Sequence, residues 1–120
     1  MSKILIIDDN QDNVLVLRML LEDYEIFDVI SILDATHATQ TVNDNDDLIA
    51  IFLDLSMPIS GFNIFEQIKH HDIPVFAYSV YSNYEEKALK QGFSGFLEKP
   101  IKEKNLKKIL TSLGYQWTDD

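Results

Sequence analysis

Five short apolar runs recur along this chain, each leading through a turn into a stretch with helical or turn-forming character, and no other feature narrows the choice of fold as much. Lys3 to Ile7, Phe27 to Leu33, Leu48 to Leu53, Pro74 to Ser79 and Gly95 to Glu98 read as strands. Their near-continuous hydrophobicity implies burial on both faces of a sheet. A helix is expected from about Asp12 to Tyr24, opened by Asp12 or Asn13, with Val14, Leu17, Leu20 and Leu21 on one face. A weak short helix follows over Ala35 to Val42. Pro58 and Gly61 mark a loop, after which Phe62, Phe65 and Ile68 line a helix ending near His70. Asn83 is positioned to cap a helix to Gln91, with Gly92 as its stop. Lys102 to Leu113 closes the series, with Leu106, Ile109, Leu110 and Leu113 facing inward.

Strand and helix thus alternate five times. The expected architecture is α/β: a doubly wound five-stranded parallel sheet, flavodoxin-like order 2-1-3-4-5, with five helices. No linker or repeat interrupts it, so residues 1–120 read as a single domain. In such sheets the site lies beyond the carboxyl ends of the strands where strand order reverses, here between strands one and three.

Composition excludes several functions. The net charge of −10 repels phosphates, which argues against direct nucleic-acid binding. No apolar run approaches the roughly 20 residues needed to cross a bilayer. The chain has no cysteine, so neither a disulfide framework nor a thiolate metal site is available, and a cytoplasmic location fits. Asp44, Asp46 and Asp47, and the terminal Asp119 and Asp120, read as solvated acids. Asp8, Asp9 and Asp12 need another account.

That account comes from the strand ends. Strand one ends in Asp8-Asp9, strand three in Asp54, strand four in Ser79, and strand five in Glu98-Lys99-Pro100. Each has a common explanation alone: a turn, a cap, a loop hydroxyl, a solvated lysine. One at every strand end on a single sheet edge is a different matter. Adjacent carboxylates raise each other's pKa unless a cation is present, and an oxygen-only donor set suits a hard ion such as Mg²⁺. Asp9 and Asp54 would ligate it directly, Asp8 through water, and a backbone carbonyl near Ser56 would add a protein oxygen. Lys99 offers a point charge and Ser79 a hydroxyl to phosphoryl oxygens, which places Asp54 for attack on phosphorus.

The pieces Ile4-Leu5-Ile6-Ile7-Asp8-Asp9-Asn10, Asp54-Leu55-Ser56-Met57-Pro58-Ile59-Ser60-Gly61, Phe76-Ala77-Tyr78-Ser79 and Gly95-Phe96-Leu97-Glu98-Lys99-Pro100 make the chain resemble the receiver domains of two-component response regulators. The resemblance covers essentially the whole chain. It implies that Asp54 accepts a phosphoryl group from a histidine kinase or histidine phosphotransfer protein, with Asp8 and Asp9 holding Mg²⁺ and Lys99 contacting the phosphoryl group. It further implies that Ser79 is the switch hydroxyl and Phe96 the switch aromatic, that Pro100 sets the following turn, often through a cis bond, and that a downstream protein reads the altered surface. Asp9-Asn10-x-x-Asn13 and Lys99-Pro100-Ile101 are similar to receivers of hybrid kinases and phosphorelays. Such a chain is a stand-alone signalling switch that catalyses only its own phosphoryl transfer and autodephosphorylation.

The chain departs from the family pattern at Val80, where a small residue is usual, and at Phe93. Val80 would narrow the route to Asp54, and an unusual dephosphorylation rate is expected. Tyr78, Tyr81, Phe93 and Phe96 would make an aromatic-rich output face unless they fill core space. Lys102, Lys104, Lys107 and Lys108 form either a solvated helix face or a patch for an acidic partner. The alternatives are a degenerate receiver acting by contact without phosphorylation and, from another class, an aspartate-nucleophile phosphatase. Such a phosphatase places an acid two residues after its nucleophile, where this chain has Ser56.

Overall fold

The structure, a computed structural model, describes residues 2–116; Asp119 and Asp120 lie outside them. The chain alternates β1 (Ser2–Ile7), α1 (Gln11–Glu22), β2 (Phe27–Ile32), α2 (Ala38–Asp44), β3 (Leu48–Asp54), α3 (Gly61–Ile68), β4 (Val75–Ser79), α4 (Glu85–Gln91), β5 (Gly95–Glu98) and α5 (Glu103–Ser112). All four strand pairings are parallel and the order is β2-β1-β3-β4-β5, as the alternation predicts.

Both sheet faces are buried, which is why the central strands β1, β3 and β4 read as nearly unbroken apolar runs, while the edge strand β2 carries Asp28 and Ser31. Ile4, Ile6, Ala50, Phe52, Phe76 and Leu97 pack against Val14, Leu17 and Leu21 of α1 and Leu106, Ile109 and Leu110 of α5. Leu5, Ile7, Ile51, Leu53, Val75 and Ala77 face the other way, onto α2, α3 and α4. The period-2 alternation of side chains therefore assigns each strand residue to one of two cores.

Several helix ends differ from expectation. Asn10, not Asp12 or Asn13, caps α1: its side chain accepts a hydrogen bond from the Asn13 N–H at 3.0 Å. Asn83 does not cap α4. It sits inside a 3₁₀ turn over Ser82–Tyr84, and α4 begins at Glu85 with no side-chain cap. Aromatic packing holds that turn instead, with the Tyr84 ring 5.5 Å from Tyr81 and 5.7 Å from Phe62, both edge to face. The short helix after β2 is preceded by another 3₁₀ turn, Ala35–His37. Gly92 ends α4 as expected, at φ 118°, its N–H donating to the carbonyls of Ala88 and Leu89.

One glycine matters for the site. A Cβ on Gly61 would stand 2.3 Å from the carbonyl oxygen of Asp54 and 2.8 Å from Cα of Leu55. Only glycine lets α3 start this close to the end of β3. Ser60 caps that helix, its hydroxyl accepting from the Phe62 N–H.

Candidate functional site

The carboxyl ends of β1, β3, β4 and β5 bring Asp8, Asp9, Asp54, Ser79 and Lys99 to one edge of the sheet. One oxygen from each of Asp8, Asp9 and Asp54 lies within 4.8 Å of the others. Asp8 and Asp54 are buried while Asp9 is open to solvent.

Asp54 is 3% exposed. Its Oδ1 accepts from the Ser56 N–H at 3.1 Å and stands 3.2 Å from Nζ of Lys99. Burial pushes its carboxyl up to about 6, the Asp8 charge adding to the rise while the Ser56 N–H and Lys99 pull against it. Asp8 is fully enclosed. Its Oδ1 accepts from the Asn10 N–H at 2.9 Å, and its Oδ2 from the Tyr78 hydroxyl at 2.8 Å and from Lys99 Nζ at 3.4 Å. Lys99 thus bridges the two buried carboxylates. Its own backbone N–H donates to the Ser79 carbonyl at 2.8 Å, and the Lys99–Pro100 peptide is cis.

Ser79 is buried, and its hydroxyl accepts from the Tyr81 N–H at 3.0 Å. Ser56 is exposed. Phe96 is half-buried against the α3 and α4 core, and Val80 stands 58% exposed beside Ser79. On α5, Lys102, Lys104 and Lys108 are exposed and Lys107 is half-buried.

The expected four-residue aromatic face does not form. Tyr78 and Phe93 are core residues, Phe93 stacked on Phe65 at 4.1 Å, while Phe96 is half-buried and Tyr81 is 52% exposed. Tyr78 is the site residue that sequence reasoning missed. Its ring belongs to the α1 and α5 side of the sheet, its register partner is Asp54, and Lys99 Nζ sits 4.6 Å from the ring centre. Its pKa is raised well above 10 by burial and then by Asp8, so the hydroxyl keeps its proton and donates. A signal was available: a tyrosine at the end of a doubly buried strand needs a partner for its hydroxyl.

The donor set is three carboxylates, all hard oxygen ligands, against one ammonium, which is the charge and chemistry that a small divalent cation fits. Burial, with the Asp8 charge adding to it, lifts the Asp54 carboxyl, and a bound cation would relieve both.

A doubly wound 2-1-3-4-5 sheet with this acidic edge defines a class. The family model described as the response regulator receiver domain matches residues 4–111. The chain therefore belongs to that family and is a receiver domain of two-component signalling. Among curated relatives, it is 32% identical over 120 residues to an osmosensing histidine protein kinase of Saccharomyces cerevisiae, covering 91% of this chain and 10% of that protein. It is 29% identical over 126 residues to hybrid signal transduction histidine kinase L of Dictyostelium discoideum, covering 95% of this chain and 7% of that protein. The chain thus spans a tenth or less of the length of these relatives. Among solved structures, a response regulator receiver domain protein from Clostridium thermocellum superimposes with a TM-score of 0.84 at 23% identity, covering 94% of each chain. No helix among the described residues is long and apolar enough to cross a membrane.

Proposed function

We propose that this receiver takes a phosphoryl group on Asp54, in a Mg²⁺-dependent reaction, from a histidine kinase or histidine phosphotransfer protein, and thereby switches a protein-binding surface. The observation that carries the reading is the Asp54 carboxylate at the end of β3, 3.2 Å from the Lys99 ammonium and grouped with Asp8 and Asp9. An Asp54 oxygen attacks phosphorus. The N–P bond of the donor phosphohistidine breaks, its electron pair stays on the imidazole, and solvent supplies the proton that nitrogen then takes. Asp9, Asp54, Asp8 through water, and the Ser56 carbonyl would hold Mg²⁺, which when bound supplies neutralising charge to the phosphoryl oxygens. Lys99 gives a second positive charge to those oxygens.

The readout begins at Ser79. Its hydroxyl leaves the Tyr81 N–H to donate to a phosphoryl oxygen, and Phe96 turns into the space released. The surface of α4, β5 and α5 then presents a changed face to a downstream protein. The receiver acts as a switch, not as an enzyme with turnover. Ser56, where an aspartate-nucleophile phosphatase needs an acid, is an exposed hydroxyl and supports that choice.

The test is intact mass after incubation with acetyl phosphate and Mg²⁺. The expected result is a gain of one phosphoryl group, absent in Asp54→Asn and absent without Mg²⁺. An equal gain in Asp54→Asn would move the acceptor elsewhere, and no gain from acetyl phosphate or from a phosphorylated phosphotransfer protein would end the reading.

A further inference from the structure

The Tyr78 hydroxyl is bonded to a site carboxylate 70 residues away in sequence, and nothing in the phosphotransfer scheme above uses it. A carboxylate turns freely about its last bond unless its oxygens are held, because that torsion has a broad, shallow profile. Asp8 is held at both ends: Oδ1 by the Asn10 N–H at 2.9 Å and Oδ2 by the Tyr78 hydroxyl at 2.8 Å. Lys99 also approaches Oδ2, at 3.4 Å, but it lies closer to Asp54, at 3.2 Å. The phenol is therefore the nearest donor to that oxygen. Asp8 and Tyr78 are both fully buried, so losing the phenol leaves that oxygen without its shortest hydrogen bond. The ring of the same tyrosine lies against the Lys99 ammonium, 4.6 Å from Nζ to the ring centre. One side chain thus touches an acid and the base of the site from below.

We propose that Tyr78 is a positioning residue of the cation site: its hydroxyl, bonded to Asp8 Oδ2, fixes the plane of the carboxylate that works with Asp9 and Asp54 to take a divalent cation. This rests on the reading of the acidic edge as a Mg²⁺ and phosphoryl site. Removing the outer hydrogen-bond partner of a direct metal ligand weakens the metal by about 10- to 100-fold; Asp8 meets the ion through water, so the loss here falls at the lower end of that range.

Tyr78→Phe separates the two contacts. It keeps the ring, its packing and the cation–π contact with Lys99, and deletes only the hydroxyl. The experiment is calorimetric titration of the full chain with MgCl₂, for wild type, Tyr78→Phe, Asp8→Asn and the double variant, with thermal melts of each in EDTA. The expected result is Mg²⁺ binding weaker in Tyr78→Phe by up to about tenfold. That loss should disappear in the Asp8→Asn background, because the hydroxyl acts through Asp8. A purely structural hydroxyl would lower the melting temperature in EDTA and leave the Mg²⁺ affinity unchanged, and that result overturns the proposal. So does an equal loss of affinity in the Asp8→Asn background. Wild type that binds no Mg²⁺ would overturn the site reading along with it, so the two failures are distinguishable.

Discussion

Replacing Asp54 by asparagine should stabilise the metal-free protein near neutral pH. The Asp54 carboxyl stands at about 6 in the folded chain against an ordinary 3.8, because burial and Asp8 outweigh the Ser56 N–H and Lys99. A raised carboxyl contributes stability that is fully present below the unfolded value and is lost as pH rises through the folded one. Ionised Asp54 is therefore a liability above about pH 6 when no cation is bound. A shift of roughly 2 units at about 1.4 kcal/mol per unit makes the cost about 3 kcal/mol at pH 7.5. At pH 4.5 the same linkage leaves only about 1 kcal/mol. Asparagine has the shape of the neutral acid and escapes the cost at both values. Urea unfolding in EDTA measures it: with a slope of about 2 kcal/mol per molar, the Asn midpoint should lie about 1.5 M above wild type at pH 7.5, and the gap should narrow to about a third at pH 4.5. Mg²⁺ should then stabilise wild type by about 2.7 kcal/mol at a hundredfold excess over Kd and nearly close the gap. An Asn variant no more stable than wild type in EDTA at pH 7.5 would refute the reasoning. It would mean that Lys99 and the Ser56 N–H fully compensate the buried charge.

Gly61→Ala should lose several kcal/mol and soften Mg²⁺ binding, because the new Cβ meets the Asp54 carbonyl at 2.3 Å and backbone on both sides has nowhere to move. Thermal melts check the first part and titration the second. Lys99→Ala should slow phosphorylation by acetyl phosphate by roughly 10²-fold, as for loss of one charge-stabilising donor. The same change should lift the Asp54 carboxyl further, which a carbon-13 titration would follow; an unmoved titration would contradict the 3.2 Å contact. Phe93→Ala should cost about 3–5 kcal/mol, since the ring is buried and stacked on Phe65. Val80→Ala, at an exposed position, should change stability by no more than about 0.5 kcal/mol while altering the decay rate of the phosphorylated protein.

The order of the elements, the two-sided burial of the sheet and the edge on which the site forms were legible in the sequence. The reason is local. The central strands, covered on both faces, are apolar along most of their length, so they announce themselves, and a polar residue marks each carboxyl end; the edge strand β2 carries Asp28 and Ser31. Asp8, Asp54, Ser79 and Lys99 stand at such ends and the fold brings them together. Helix starts were less legible. Asn10, Asp12 and Asn13 are all good caps by type, and which one caps depends on where the backbone leaves β1. Asn83 lost its expected role because the rings of Tyr81, Tyr84 and Phe62 pack together and hold a tighter turn there.

What only the tertiary structure decided is whatever depends on two distant positions meeting. Tyr78 reaches Asp8 across 70 residues, and Lys99 reaches it across 91. The alternation of side chains along β4 sends Tyr78 to one core and Ala77 to the other, and sequence pattern alone does not say which core lies beneath the acids. The raised Asp54 carboxyl is likewise a balance between burial, one backbone N–H and two charges on other strands. Residue types choose the chemistry that is possible at this edge. Packing sets the distances, and distance and burial set the energies that raise the Asp54 carboxyl and hold the Asp8 carboxylate in place.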